Sequence, residues 1–276
     1  MPLMTLSKGR VPMPTGGTPV QSIDRVFAIV ETLASEPHGM TLTDLASSVG
    51  LHISTTHRLL SALVSRDYVQ KDMETGKYRL TMRLFEISSR VVGGMSLVSV
   101  ARPFLERLAD ATNETIHLVA RNRDEVVYLY KEDNNNSVTC MSSFVGKRNA
   151  MYCTGVGKCI MAYLPEEEVR GIWDRTAITA YTPKTIVEYP ALLIELEQIR
   201  KNGFGLDNEE HEVGIMCIAA PVFDYSASPI GAISVSAPSA RITEEKKFAF
   251  CRLIVENANH ITSLLGGSIR LPVQVR

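Results

Sequence analysis

Between residues 22 and 81 the spacing of apolar residues changes from a helical period to a strand period, and this change limits the fold more than any other feature. Ile23, Val26, Phe27, Val30 and Leu33 fall on one face of a first helix, which the Glu-Pro-His-Gly stretch at 36–39 breaks. Thr41 and Asp44 form a capping-box-like start to a short helix carrying Leu45, Ala46 and Val49, and Gly50 ends it as a left-handed cap. A third helix is expected over 52–66, with Ile53, Leu60, Leu63 and Val64 facing inward. Two short strand-like runs follow at 68–72 and 77–81, around a Met-Glu-Thr-Gly turn at 73–76. Helix, short helix, tight turn, helix and hairpin together predict a winged helix-turn-helix, mainly α.

The remainder is of a different kind. Residues 83–92 read as a further helix ended by Gly93 and Gly94, the expected linker. An amphipathic helix is expected at 96–112, where Leu97, Ala101, Phe104, Leu105 and Leu108 share a face. Strands are expected at 115–121, 125–132, 137–145, 215–223 and 230–237, and helices at 155–163, 166–173, 188–202 and 243–265. Helices flanking antiparallel strands make this second domain α+β. The boundaries are a disordered lead at 1–19, the winged helix-turn-helix at 20–82, a linker helix at 83–95, a larger domain at 96–266 and a tail at 267–276.

Composition bears on function by exclusion. The 276 residues are 45% hydrophobic and 21% charged, with a formal net charge of −1, which excludes a purely electrostatic nucleic-acid binder. The charge is uneven: residues 1–94 hold 10 Lys/Arg against 8 Asp/Glu, and residues 95–276 hold 19 against 22. Five cysteines without a C-x-x-C fit a reducing cytoplasm, and no apolar run approaches the roughly 20 residues of a membrane span.

Two groups of residues carry chemistry. The third helix should present Ser54, Thr55, Thr56, His57 and Arg58 to a DNA major groove, with Lys77 and Arg79 of the wing reaching the backbone or minor groove. In the second domain, a glycine turn around Gly155, Val156 and Gly157 opens a helix whose free N–H groups suit a carboxylate, although the P-loop pattern is not met. Ser234 and Ser236 share a strand face. With Cys217 and Asp207 they can ring a small polar molecule, although composition alone makes the acidic run at 207–212 a solvated loop.

Across roughly residues 20–266 the sequence resembles the IclR family of bacterial transcription regulators. The resemblance rests on Ser-Thr-Thr-His-Arg-Leu-Leu at 54–60, Tyr-Arg-Leu at 78–80, Gly-Val-Gly-Lys at 155–158, Asp-Asn-Glu-Glu at 207–210 and Cys-Ile-Ala-Ala-Pro-Val-Phe-Asp at 217–224. Glu-Thr-Ile-His-Leu at 114–118 and Gly-Phe-Gly at 203–205 look most like the 2-keto-3-deoxygluconate regulator (KdgR) branch. The resemblance implies a GAF-like effector-binding domain, a homodimer or homotetramer on a palindromic double-stranded DNA operator, and a small 2-oxo acid or sugar acid as effector. Repression is the commoner expectation, and no cofactor, metal or catalytic residue is implied. By the same resemblance Gly155, Val156, Asp207, Cys217, Ser234 and Ser236 line the effector pocket.

Two positions depart from the family's pattern. His52 and Ile53 stand where Pro-Lys or Pro-Arg often opens the recognition helix, and Asp67 replaces a glycine common before the wing tyrosine. Two other readings compete. One is an enzyme with Cys217 as nucleophile and His211 or His117 as base. The other is a metal or redox sensor built on Cys153, Cys159, Cys217 and the histidines, although their spacing fits no zinc signature.

Overall fold

The computed structural model describes residues 20–92, 96–133 and 142–272. The expected lead at 1–19, the glycine pair at 93–94 and most of the strand expected at 137–145 lie outside them. The chain divides into two compact units, residues 1–94 and 95–276.

In the first unit, helices α1 (Gln21–Ala34), α2 (Leu42–Ser48) and α3 (Ile53–Val64) precede the hairpin of β1 (Val69–Lys71) and β2 (Tyr78–Leu80), and α4 (Arg83–Val92) follows. Thr41 Oγ1 caps α2, accepting from the Asp44 N–H at 3.2 Å and donating to the Asp44 carboxylate at 2.7 Å. Gly50 has φ +66° and turns the chain into α3. Ile29, Leu33, Leu45, Leu59, Leu60, Leu63, Val69 and Tyr78 form the core.

The inward faces differ from expectation by part of a turn. On α1 the buried pair is Ile29 and Leu33, flanked by half-buried Val26 and Val30, while Ile23 and Phe27 are exposed. On α3 the buried stripe is Thr56, Leu59, Leu60 and Leu63, the i, i+3, i+4, i+7 set, and Ile53 is exposed at the first turn.

The second unit opens with α5 (Leu97–Thr112), followed by β3 (Thr115–Asn122), β4 (Glu125–Glu132), β5 (Arg148–Ala150), α6 (Gly155–Met161), α7 (Glu166–Arg175), α8 (Tyr189–Asn202), β6 (Gly205–Asn208), β7 (Ile215–Phe223), β8 (Pro229–Pro238) and α9 (Glu244–Leu264). The strands form one antiparallel sheet in the order β5-β4-β3-β8-β7-β6. Period-2 alternation sends Ile116, Leu118, Ile218, Ala220, Val222, Ile233 and Val235 into a core with α5 and α9. Val119, Ala219 and Ala232 face the opposite core, built with α6, α7 and α8.

Residues 142–145 of the expected 137–145 strand are not strand. The short strands β5 and β6 arise where none was expected. Residues 267–272 are not a free tail: Leu271 is buried in the α5/α9 core, and its N–H donates to Asn259 Oδ1 at 2.8 Å. Among the described residues no helix is long and apolar enough to cross a membrane.

Candidate effector pocket and nucleic-acid interface

On α3, Ser54, His57 and Arg58 are exposed and Thr55 is half-buried. Thr56 is not on that surface: it is fully buried, and its hydroxyl donates to the His52 carbonyl at 3.2 Å. His52 occupies the N-cap without capping through its side chain, leaving first-turn N–H groups uncapped beside exposed Ile53. In the hairpin, Asp72 Oδ1 accepts from the N–H groups of Glu74 and Thr75 at 2.9 and 3.0 Å, holding the turn that presents half-buried Lys77. Exposed Arg79 pairs across the strands with Gln70.

In the second unit the sheet register itself assembles a polar patch. Asp207 of β6 lies opposite Cys217 of β7, and Cys217 opposite Ser236 of β8. One step along, Ala219 pairs with Ser234, and Ser234 with His117 of β3. These side chains sit on the face that carries α6. With Gly155 and Val156, all of them but Ala219 line one cavity of about 40 Å³, closed further by Tyr128, Asn149, Thr154 and His211. By the same measure a water needs roughly 10–15 Å³, so the space suits a ligand of few heavy atoms. All six residues singled out in the second domain border it.

The helix start that reaches the cavity depends on two close approaches. Thr154 Oγ1 accepts the Gly157 N–H at 3.2 Å. A Cβ on Gly157 would stand 2.3 Å from the Met151 carbonyl oxygen, and one on Gly155 would stand 3.2 Å from the Asp207 nitrogen. A side chain at Gly157 would force the turn off Met151, and one at Gly155 would crowd the Asp207 backbone.

Asp207 is buried, and its Oδ1 accepts from the Glu210 and His211 N–H groups at 2.7 and 3.3 Å. Burial pushes its carboxyl up to about 7, although those backbone donors oppose the rise. The Glu210 carboxylate is tied to the fully buried Lys158 of α6 at 2.5 Å, and Lys158 also reaches Glu195 of α8 at 3.4 Å. Thr182 and Thr185 donate to the carbonyls of Glu209 and Glu210 at 2.7 and 2.6 Å. The acidic run at 207–210 is therefore a pinned corner of the pocket and not a solvated loop.

Two family models match the chain: the one described as bacterial transcriptional regulator IclR C-terminal over residues 89–263, and the IclR helix-turn-helix domain over residues 22–73. The chain belongs to the IclR family of bacterial transcription regulators. The HTH-type transcriptional repressor AllR of Salmonella typhimurium is 34% identical over 253 residues, covering 92% of this chain and 93% of that protein. The HTH-type transcriptional regulator KdgR of Escherichia coli is 35% identical over 247 residues, covering 90% and 93%. The crystal structure of Thermotoga maritima IclR superimposes with a TM-score of 0.60 at 29% identity, covering 89% of this chain and 99% of that one. Both the family and the KdgR branch expected from sequence are represented. As an IclR-family member the chain is a DNA-binding transcription regulator and not an enzyme.

The pocket's chemistry agrees with that assignment. Cys217 Sγ accepts the Ser236 hydroxyl at 3.0 Å, and burial together with Asp207 pushes the thiol upward, away from the thiolate a nucleophile needs. Among the described residues His211 is hydrogen-bonded to a thiol, but its Nδ1 stands 3.7 Å from Cys153, not Cys217. Cys153, Cys159, Cys217 and Cys251 are free thiols, and among the described residues no three His, Cys, Asp or Glu side chains are grouped to hold a metal ion.

Sequence reasoning passed over several parts of the site, His117, Tyr128 and Asn149 among them. His117 was weighed only as a base, and Tyr128 and Asn149 were not weighed at all. A histidine inside an otherwise apolar strand was the one available signal for the first; the other two reach the cavity only through pairing.

Proposed function

We propose that the second unit binds a small carboxylate effector, a 2-oxo acid or sugar acid, and that the effector controls how a homodimer or homotetramer holds a palindromic DNA operator. One observation carries the reading: Gly155, Val156, Asp207, Cys217, Ser234 and Ser236, from a helix start and three strands, surround one cavity. The N–H groups of Gly155 and Val156 have no partner among the described residues and suit a carboxylate. The small volume favours short 2-oxo acids within that class. The family's repressors support repression as the sign, with the effector releasing the operator. The winged helix-turn-helix over 20–82 is the DNA-binding part, 83–95 the linker and 96–266 the effector-binding part.

At the DNA, Ser54, Thr55, His57 and Arg58 read or hold the major groove, while Lys77 and Arg79 contact phosphates. Thr56 acts from behind, fixing the first turn of α3. The uncapped first-turn N–H groups offer a phosphate site that stands in for the missing Pro-Lys or Pro-Arg cation.

The test is operator binding by the full chain at stated salt, with DNA from upstream of its own gene and a panel of 2-oxo and sugar acids. Release by one acid, lost in Asp207→Ala while that variant still binds operator, is the expected result. Specific DNA binding that no acid alters would sink the effector reading.

A further inference from the structure

His117 is buried on β3 and borders the cavity. Its Nδ1 stands 3.4 Å from Ser234 Oγ and 3.3 Å from Ser236 Oγ, and its Nε2 stands 2.9 Å from Ser143 Oγ. The ring meets Tyr128 edge-on at 5.1 Å. Burial, with Lys131 second, holds its pKa at about 3, so the imidazole is neutral and has one N–H and one lone pair.

The hydrogen-bond geometry favours a proton on Nδ1. An imidazole lone pair accepts one hydroxyl, yet two serine oxygens stand almost equally far from Nδ1. The Ser236 hydroxyl is already given to Cys217. A single N–H shared between two oxygens fits that arrangement. In that tautomer Nδ1–H donates to both serines, and Nε2 accepts from Ser143. Ser234 then keeps its own proton, which has no other partner among the described residues. Asp207 lies two strands away on the same sheet face, roughly 10 Å at the usual strand spacing.

We propose that His117 is a specificity-determining residue of the effector pocket: by donating from Nδ1 it turns the Ser234 hydroxyl toward the ligand, so that this wall offers donors to a C2 oxygen and selects a 2-oxo acid over the matching 2-hydroxy acid. A carbonyl oxygen only accepts, and is satisfied there. A hydroxyl accepts the same bond but carries a proton that needs an acceptor of its own, and on this wall each serine oxygen already accepts Nδ1–H. The inference rests on the cavity being the effector site.

The experiment uses the full chain with pyruvate and lactate, which differ only at C2, measured by calorimetry. The wild-type protein is expected to favour pyruvate by about tenfold or more, as a site built on hydrogen bonds rejects the mismatched analogue. His117→Asn places an amide N–H near the Nδ1 position and should keep that preference, whereas His117→Leu should reduce it to within about threefold. Selective ¹⁵N-histidine labelling of the wild-type chain reads the tautomer directly, without any variant having to fold. Nδ1–H, unchanged between pH 5 and 8, is expected. Nε2–H, equal binding of the two acids, or an unchanged preference in a folded His117→Leu protein overturns the role of His117 alone. Failure of every acid in the operator panel, these two included, to bind overturns the pocket reading and this inference with it.

Discussion

Asp67 shows what one residue costs. It holds φ +61°, between α3 and the wing, and its carbonyl accepts the Thr81 hydroxyl, so the backbone has no freedom to relax. Asp tolerates this left-handed region better than most residues, but glycine enters it without a Cβ penalty. Asp67→Gly should stabilise the first unit by about 0.5–1 kcal/mol, seen as a higher urea midpoint for its transition at unchanged slope. Asp207 carries a different cost, one that depends on pH. Its folded value of about 7 lies above the ordinary 3.8, so the folded chain binds this proton more tightly than the unfolded chain. The contribution is fully present below about 4 and is lost as pH rises through about 7. His117 and His211, both depressed by burial, act oppositely as pH falls below about 6.5, because the unfolded chain then takes up their protons. Asp207→Asn keeps an oxygen for the Glu210 and His211 N–H groups but cannot ionise. The melting temperature of the second unit in this variant, relative to wild type, should rise between pH 4 and 7 and level off above. A flat difference would mean that Asp207 is ionised at neutral pH in the folded chain.

At the scale of elements, α6 is the piece on which the pocket hangs, and Lys158 is its strap. The side chain is fully buried and binds Glu210 at the pocket corner and Glu195 on α8. Removing one partner of a buried pair leaves an uncompensated charge, so Lys158→Met should destabilise the second unit by about 3–5 kcal/mol. Glu195 is partly exposed and can turn to solvent. Adding Glu210→Gln should therefore recover much of the loss, and a double variant no better than the single one would show that the pair does not strap the corner. Little of this was legible beforehand. The long helices and strands were, because α5, α9, β3, β4, β7 and β8 each repeat their period often enough to be counted. β5 and β6 span three and four residues without the Met-Glu-Thr-Gly turn that marked the equally short β1 and β2, and the acidic run after Gly205 hid the strand carrying Asp207. The faces of α1 and α3 were misplaced because Ile23, Phe27 and Ile53 are apolar yet exposed, so hydrophobicity alone pointed to one side of the stripe the core uses. Thr56 was read as a DNA contact because it lies near the start of the expected recognition helix, and no local pattern shows that it bonds back to His52. The pocket residues were legible as a set through family resemblance. Their convergence follows from strand register, which is a long-range property.

For the whole molecule, regulation requires that a ligand in residues 95–276 change what residues 1–94 do to DNA. Such coupling is a free energy shared by both ligands, so it acts in both directions. If an acid weakens operator binding about tenfold, roughly 1.4 kcal/mol, then saturating operator must weaken binding of that acid by the same factor. The measurement is calorimetric titration of the acid into the full chain, alone and with a slight excess of operator duplex, at one salt concentration because the DNA term is strongly salt-dependent. Equal factors in the two directions are expected, and scrambled duplex should give a smaller one because it engages the recognition helix without base readout. An acid that releases operator yet binds equally well in its presence would break the thermodynamic cycle for a single effector site. The acid would then act on the DNA-binding unit directly, and a variant such as Asp207→Ala would leave release untouched. If the factors agree and Asp207→Ala abolishes both, the cavity on the α6 face of the sheet is the place from which the operator is controlled.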